Sequence, residues 1–452
     1  MKILIAGAGK VGLAITKLLD SEGHDISILD CDAEKLGHIS DAYDVFTLEG
    51  TATDLDLLRE ADAGSADLCI AVTGSDETNL VCAVVSRYLG AKQVVARVRD
   101  IKYNRQRAKL AECFGLSAMF NPDLEAAREI ARILQFPSAV RVETFARGRL
   151  ELVEYSVPAG SKLNGMPLNQ LGQRYNTRIL ICAVEHDGKV CIPNGDFVLH
   201  DGDRLSIAGP RRELKRFFTA MNAYMRPVRS ALLLGGSRSA AHLSRVLMEE
   251  GVDVTIIERR RERCEELAEL LPGASVINGD GTKQEILLEE GLRTTDAFVA
   301  LTGFDEDNII VSMFARNCGV GKVVTKLSDD HFIPMLKTSG LDCFVCPKLL
   351  AASEIARYVR AMGNAADSSS VDNLYRLIDN QIEALEFAVG AQSRCVGKAL
   401  RDLHTKNDVL IAGLLHGDTY IVPNGNTVIS AGDKAVVVTT QRGLRELDSI
   451  LE

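Results

Sequence analysis

The chain contains no tryptophan, and only 5% of its 452 residues are aromatic. Proteins that bind single-stranded nucleic acid stack bases on aromatic rings set among basic residues, and no such patch is present. A long Lys/Arg block is also missing. The formal charge is -10, whereas duplex DNA is held mainly by cations that neutralise phosphates. The nearest approach to a basic block, Arg259, Arg260, Arg261 and Arg263, is surrounded by Glu258, Glu262, Glu265 and Glu266, which predicts a solvated helix face. Nucleic acid is therefore not expected as a partner. No apolar run is long enough to cross a bilayer. The opening stretch Ile3-Leu4-Ile5-Ala6 stops at Gly7, short of a signal-peptide core, and reads as a first strand. The 11 cysteines are scattered and odd in number, as expected of reduced thiols in a cytosol. These absences predict a cytoplasmic protein that another subunit would have to tether if it works at a membrane.

What is present is a chain written twice, with an offset of about 229 residues. Thr73-Gly74-Ser75-Asp76-Glu77-Thr78-Asn79 recurs as Thr302-Gly303-Phe304-Asp305-Glu306-Asp307-Asn308. Ile192-Pro193-Asn194-Gly195-Asp196 recurs as Val422-Pro423-Asn424-Gly425-Asn426, and the apolar face Ile15, Leu18, Leu19 as Leu243, Val246, Leu247.

Each half divides again. Its first part alternates β-branched runs with helical patterns, the mark of βαβ units on a parallel sheet. In the first half strands are predicted at Lys2–Ala6, Asp25–Leu29, Asp44–Leu48, Asp67–Val72 and Gln93–Arg97, followed by a helix from about Leu124 to Leu134. Leu68-Cys69-Ile70-Ala71-Val72 is apolar on both faces, as a covered parallel strand requires. The second part of each half carries short alternating strands, with turns at Asp187-Gly188, Asn194-Gly195 and Asp201-Gly202, then Gly417-Asp418, Asn424-Gly425 and Gly432-Asp433. The expected fold class is α/β: tandem duplicated Rossmann-like parallel-sheet domains, each followed by a small α+β C-terminal lobe. The expected boundaries are an N-lobe at 1–120, a crossover helix at 121–140 and a C-lobe at 141–225. The second N-lobe follows at 229–345, a crossover helix and loop at 346–370, and a C-lobe at 371–452. Within the loop, Ala361–Ser370 is rich in small polar residues and reads as a mobile surface segment.

Gly7-Ala8-Gly9-Lys10-Val11-Gly12 follows the first strand directly, where a G-x-G-x-x-G motif has to sit to hold a nucleotide. Gly7 permits the tight turn, Gly9 lets a pyrophosphate approach the backbone, and Gly12 lets the helix pack on the sheet. Free amides and the dipole at the helix start attract phosphate. Asp30, eighteen positions after Gly12, can accept hydrogen bonds from both ribose hydroxyls and would repel a 2′-phosphate. NAD or an adenine nucleotide is thus expected over NADP. Glu49, Thr51 and Ala52 follow the third strand toward the adenine end, and Thr73 and Gly74 follow the fourth. Asp76 and Asn79 read equally as ligand contacts or as caps of the next helix. Arg97 and Arg99 end the fifth strand, to meet phosphates, including those of a neighbouring subunit, or to form surface ion pairs. The second copy has drifted to Gly235-Gly236-Ser237-Arg238-Ser239-Ala240. Ser237 adds bulk where a pyrophosphate would approach; Glu258 keeps the ribose-facing acid, and Asp280 stands where the first half has Thr51. If this site binds, its affinity or ligand should differ from the first.

Signs of catalysis are missing. A dehydrogenase needs a proton donor near the nicotinamide, and the eight histidines form no such set. His186 and His416 occupy matching places in hairpin turns, where a polar residue needs no special explanation. Cys343-x-x-Cys346 has no second pair to complete a zinc site and reads as two buried structural thiols. Neither a metal nor an enzymatic activity is expected. The rival readings are an NAD-dependent oxidoreductase, which the glycine turn alone supports, and a soluble redox-sensing regulator.

Taken together, Gly7-x-Gly9-x-x-Gly12, Asp30, Asp67-Leu68 running into Thr73-Gly74-Ser75-Asp76-Glu77-x-Asn79, Val95-Ala96-Arg97-Val98-Arg99-Asp100 and Asn121-Pro122-x-Leu124-Glu125-Ala126-Ala127 carry a resemblance. The sequence resembles the peripheral regulatory subunits of Trk potassium uptake systems, TrkA-like proteins with tandem RCK (KTN) domains, over essentially its whole length. That resemblance implies RCK modules assembled in a ring, with a homotetramer supplying eight. It also implies NAD/NADH and/or ATP/ADP as ligands of the N-lobes, and a Trk-type potassium-translocating membrane subunit as partner at the inner face of the cell membrane. Ser237, and Thr51 in place of the family's acidic-plus-Gly pattern, depart from it.

Overall fold

The computed structural model describes every residue except 137–139, 146–147, 222–227, 342, 367–370, 379–380, 418, 443 and 445, and no side chain at 141, 337–338, 364–366, 371–373 or 376. The chain forms two compact units, Met1–Ala131 with Arg229–Val359, and Arg132–Val228 with Arg360–Glu452. The duplicated halves therefore associate like with like: the two N-lobes make one unit and the two C-lobes the other.

In the first N-lobe the elements run β1 (Lys2–Ala6), α1 (Lys10–Asp20), β2 (Asp25–Asp30), α2 (Ala33–Ala42), β3 (Phe46–Glu49), α3 (Leu55–Glu60) and β4 (Leu68–Ala71). They continue with α4 (Asp76–Leu89), β5 (Gln93–Arg97), α5 (Ile101–Arg105), α6 (Arg107–Phe114), β6 (Ala118–Phe120) and α7 (Pro122–Gln135). The strands pair in parallel in the order β3-β2-β1-β4-β5-β6. The run Leu68 to Val72 is buried throughout, as helices on both faces require. The three-residue β6 was not among the expected strands, since so short a run before a proline carries no usable alternation.

The first C-lobe holds β7 (Arg141–Phe145), β8 (Leu150–Ser156), α8 (Leu171–Tyr175), β9 (Leu180–His186), β10 (Lys189–Cys191), β11 (Arg204–Gly209) and α9 (Arg211–Ala220). Its antiparallel sheet runs β10-β9-β11-β8-β7. The second N-lobe repeats the first: β12 (Ser230–Leu234), α10 (Arg238–Glu249), β13 (Asp253–Glu258), α11 (Arg261–Leu270), β14 (Ser275–Asn278), α12 (Gln284–Glu289) and β15 (Ala297–Ala300). Then come α13 (Asp305–Asn317), β16 (Lys322–Lys326), α14 (Ile333–Ser339), β17 (Phe344–Val345) and α15 (Pro347–Ala366), with sheet order β14-β13-β12-β15-β16-β17. The second C-lobe has β18 (Val371–Leu377), β19 (Ile382–Ala388), β20 (Val409–His416), β21 (Thr419–Ile421) and β22 (Lys434–Thr439), in the order β18-β19-β22-β20-β21.

One sequence expectation is corrected here. Residues 361 to 366 are not a loop but the last turns of α15, because Ala, Met and Asn continue a helix once preceding turns have nucleated it. Residues 367–370 of the expected mobile segment lie outside the described residues, as does Asp418 of the Gly417-Asp418 turn. Cys343 and Cys346 flank β17, both buried, and burial pushes the Cys346 thiol up to about 11.

Within the N-lobe unit the copies touch through polar contacts. Ser239 Oγ donates to Asp123 Oδ1 at 2.7 Å, and the Tyr358 hydroxyl donates to Gln93 Oε1 at 3.1 Å. Within the C-lobe unit the two sheets share one apolar cluster, with Phe145, Leu150 and Leu152 from the first lobe and Leu377, Ile382 and Val438 from the second. Phe145 and Tyr375 meet edge to face at 4.6 Å, and Glu154 Oε1 accepts the Ile378 N–H at 3.1 Å. Each C-lobe also closes one hairpin in the same way. Asp203 accepts the His200 N–H at 2.8 Å and contacts His186 Nδ1 at 2.6 Å; Asp433 accepts the Ser430 N–H at 2.8 Å and contacts His416 Nδ1 at 2.7 Å. The matching histidines thus do have a specific role, each held by a buried carboxylate.

Glu354 on α15 is mostly buried, and desolvation, reinforced by nearby Glu125 on α7, pushes its carboxyl from 4.5 up to about 7. A raised folded-state value stabilises below the unfolded value, and that contribution is lost as pH rises through the folded one. The Glu354→Gln variant should therefore gain in thermal midpoint relative to the parent as pH is raised from 4.5 to above 7. A constant difference across that range, in paired melts, would remove the buried-carboxylate account.

Candidate functional site

In a doubly wound sheet, ligands bind beyond the carboxyl ends of the strands, where the chain order reverses. Here β1 lies between β2 and β4, so the crevice opens at the end of β1. Gly7 turns the chain there with φ +118°, and a Cβ on it would stand 2.8 Å from the Val72 carbonyl carbon. Gly12 is more tightly constrained, since a Cβ there would lie 1.9 Å from the Gly7 carbonyl oxygen. Both glycines are required by the protein's own backbone.

Gly9 differs. Its backbone is extended, and a Cβ added to it would meet nothing within 4 Å. It also leaves the start of α1 without a side-chain cap, although α2, α3, α4 and α5 are capped by Asp32, Asp54, Ser75 and Asp100. Lys10 is exposed and Val11 partly so, and neither brings a carboxylate to the first turn. The result is a bare, positively polarised helix end facing open space, suited to a phosphate.

Asp30 ends β2 beside this turn. Its Oδ2 accepts the Ala8 N–H at 2.6 Å and its Oδ1 the Asp32 N–H at 3.0 Å. The carboxylate therefore braces the glycine turn, a use the sequence did not suggest. Each oxygen keeps a further lone pair for a ribose hydroxyl. Glu49 ends β3 and Thr51 follows it, both exposed, with Thr51 Oγ1 3.2 Å from Thr53 Oγ1, and Ala52 is buried.

Asp76 and Asn79 are committed to backbone. Asp76 Oδ2 accepts the N–H groups of Arg99 and Asp100 at 2.8 Å each. Asn79 accepts from Thr73 N at 2.7 Å and Oγ1 at 2.8 Å, and donates to the Arg97 carbonyl at 2.9 Å, tying the ends of β4 and β5 together. Asp305 and Asn308 make the same bonds in the second copy, so this clamp belongs to the scaffold. Thr73 is half-buried and Gly74 exposed, so Gly74 remains on the open side of the crevice.

Arg97 is not a surface ion pair: it is buried and donates to the Thr73 carbonyl. Burial pushes its guanidinium down to about 10, with Arg99 adding to the effect and Arg238 contributing in the same direction. Arg99 donates to the Gly74 carbonyl and lies 3.7 Å from Asp76. Arg238 begins α10 of the other copy, so cations from both N-lobes converge near the end of β5. Asp123, which sequence reasoning passed over, counters them from the start of α7; its place just after Asn121-Pro122 was the available signal.

The second crevice carries side chains of its own chain at its mouth. Ser237 caps α10, its Oγ accepting the Ala240 N–H at 3.3 Å, where Gly9 leaves α1 open. Glu258 accepts the Gly236 N–H at 2.8 Å and the Arg260 N–H at 2.8 Å. Burial pushes its carboxyl up, and these donors with the Arg260 side chain outweigh that and leave it below its ordinary value. Arg259, just after β13, lies over the Phe304 ring at 5.9 Å, and Phe304 follows β15. Since β12 lies between those strands, this pair spans the Gly235 turn. Asp280 is held by Thr282, whose N–H and Oγ1 donate to it at 3.2 and 2.7 Å.

Comparison with known proteins gives a consistent result. The TrkA-N domain family matches residues 3–122 and 231–347, and the TrkA-C domain family residues 152–222 and 384–452. A Trk system potassium uptake protein TrkA homolog of Archaeoglobus fulgidus is 30% identical over 451 residues, covering 100% of both chains. The Trk system potassium uptake protein TrkA of Vibrio alginolyticus is 30% identical over 443 residues, covering 97% of this chain and 95% of that one. Among solved structures, the GsuK RCK domain covers 97% of this chain and 92% of its own at a TM-score of 0.62 and 16% identity. The GsuK channel bound to NAD covers 97% and 77% at a TM-score of 0.64 and 17% identity, a likeness of fold.

The two roles of glycine separate by mutation. Gly12→Ala should lower the thermal midpoint, at a cost of about 1–3 kcal/mol for forcing the turn from the helix, while Gly9→Ala should leave it unchanged. Equal midpoints for the two variants would contradict the packing described.

Proposed function

Because the chain belongs to the TrkA family of Trk-system potassium uptake proteins, we propose that it is a nucleotide-sensing regulatory subunit of a potassium-translocating membrane partner. The bare start of α1 carries this reading: in the first N-lobe neither the Gly9 backbone nor a capping side chain occupies the place of a diphosphate. Gly7, Ala8, Gly9, Lys10, Val11 and Gly12 would form the cradle, and Asp30 would take the adjoining ribose. Glu49, Thr51 and Ala52 would border the base. Thr73, Gly74, Arg97, Arg99 and, from the second copy, Arg238 would meet the far phosphate or nicotinamide, with Asp76 and Asn79 holding that wall in place. The second crevice, with Gly235, Ser237, Glu258 and Asp280, is self-capped and bridged, which supports one nucleotide per chain. NAD, NADH, ATP and ADP all present a diphosphate and a 2′-hydroxyl to such a site.

The proposed role is regulation rather than catalysis. A hydride-transfer enzyme needs a proton donor beside the nicotinamide; on that wall Asn79 and Asp76 Oδ2 bond to backbone, which supports a holding role for them. A nucleotide can act on a distant pore only through linkage, by binding one arrangement of the assembly more tightly than another. Among the described residues no helix is long and apolar enough to span a membrane, and this reading gives the pore to a separate subunit. This reading places the chain in the cytoplasm at the inner face of the membrane, with lobes divided near 120, 140, 225, 345 and 370. Matching helices expose matching apolar stripes: Val81, Val84 and Tyr88 on α4, Ile310 and Met313 on α13. Exposed stripes at helical spacing support burial between copies, in keeping with a tetramer of eight modules.

Calorimetric titration should give one adenine-nucleotide site per chain. Gly9→Val should abolish it at an unchanged thermal midpoint; binding that survives this substitution, or none in the parent, would end the proposal. Val84→Asp combined with Met313→Asp should reduce the particle mass in light scattering, and an unchanged mass would exclude α4 and α13 from the assembly surface.

A further inference from the structure

The duplication supplies an internal control for one cluster that nucleotide sensing leaves unused. In both C-lobes a buried aspartate closes a hairpin by accepting a backbone N–H and holding a histidine ring, so Asp203 with His186, and Asp433 with His416, have a structural reason to exist. That reason does not extend to the side chain of His200. Its counterpart, Ser430, serves the same turn through its N–H alone. The His200 ring is exposed and stands 4.9 Å from the His186 ring, tilted by 43°. One donor atom from each of His186, His200 and Asp203 lies within 4.8 Å of the others, and among the described residues no other set of three His, Cys, Asp or Glu side chains is so placed.

We propose that the first C-lobe binds a divalent transition-metal cation of the zinc class through His186, His200 and Asp203. Two imidazole nitrogens and one carboxylate oxygen suit zinc, cobalt or nickel. Calcium and magnesium prefer all-oxygen shells, and copper(I) prefers thiolates. Three protein ligands on an exposed rim leave a fourth position for water. Metal–ligand bonds of about 2.0–2.1 Å set neighbouring donors on one ion roughly 3.3 Å apart. The 2.6 Å contact between His186 and Asp203 is shorter than that. The ion would therefore open this hydrogen bond and draw His200 inward, replacing one closure of the hairpin by another. The second lobe, with Ser430, keeps only the histidine–aspartate pair and lacks the third ligand.

The test uses the full-length chain without any histidine tag, stripped with chelator and titrated with Zn2+ by calorimetry and with Co2+ by visible absorption. The parent should bind one equivalent more than His200→Ala, or bind it at least about tenfold more tightly. His200 is exposed, so the variant should fold as the parent does. Ser430→His should add an equivalent in the second lobe. Identical stoichiometry and affinity for parent and His200→Ala would overturn the proposal and assign any bound metal to the thiols, of which Cys31 and Cys113 are exposed. No binding by the parent would overturn it as well.

Discussion

The contact between Gly12 and the Gly7 carbonyl oxygen governs the first crevice. With no Cβ between them, α1 can press its first turn against the turn that leaves β1, and the helix amides are delivered to the end of the sheet. Asp30 then holds the loop from the other side through the Ala8 N–H. A rigid cradle results, in which each constrained atom belongs to the backbone and the one unconstrained position, Gly9, faces outward. Rigidity matters because a site that must be assembled on binding loses affinity to the ordering of its parts.

Duplication then allowed the copies to diverge where the scaffold permits it. The Asn79 and Asn308 clamps, the Asp76 and Asp305 clamps and the histidine–aspartate hairpin closures persist, because each satisfies buried backbone groups that would otherwise go unpaired. Positions facing the crevice changed instead. Where the first copy has Gly9, Cys31 and Ser75 the second has Ser237, Arg259 and Phe304, so that one crevice is open and the other capped and bridged. Ala240 in place of Gly12 is fully buried, so the second turn stands far enough from its helix to admit a methyl group.

Association of like lobes carries the same logic to larger scale. Because the N-lobes share a unit, Arg238 of one copy comes within electrostatic range of Arg97 of the other, a convergence of cations that an anionic ligand would relieve. In the assembly we propose, two arrangements could be told apart only if the interfaces discriminate, and the exposed stripes on α4 and α13 would be where that is built.

Much of this was legible in the linear chain. Strand positions, the glycine turn, the acid that ends β2 and the repeat itself depend on local backbone geometry and on periodicity, which neighbouring residues encode together. Three-residue β6 and the helical end of α15 escaped because a short run carries too little pattern to outweigh composition. Tertiary structure alone decided that lobes pair like with like, that Arg97 is buried, that Asp30 braces the loop and that His200 meets His186. Those outcomes depend on which surfaces fit once separate elements pack, across about twenty residues for Asp30 and Arg97 and far more for the lobes, and no spacing along a chain records the distance between side chains that only folding brings together.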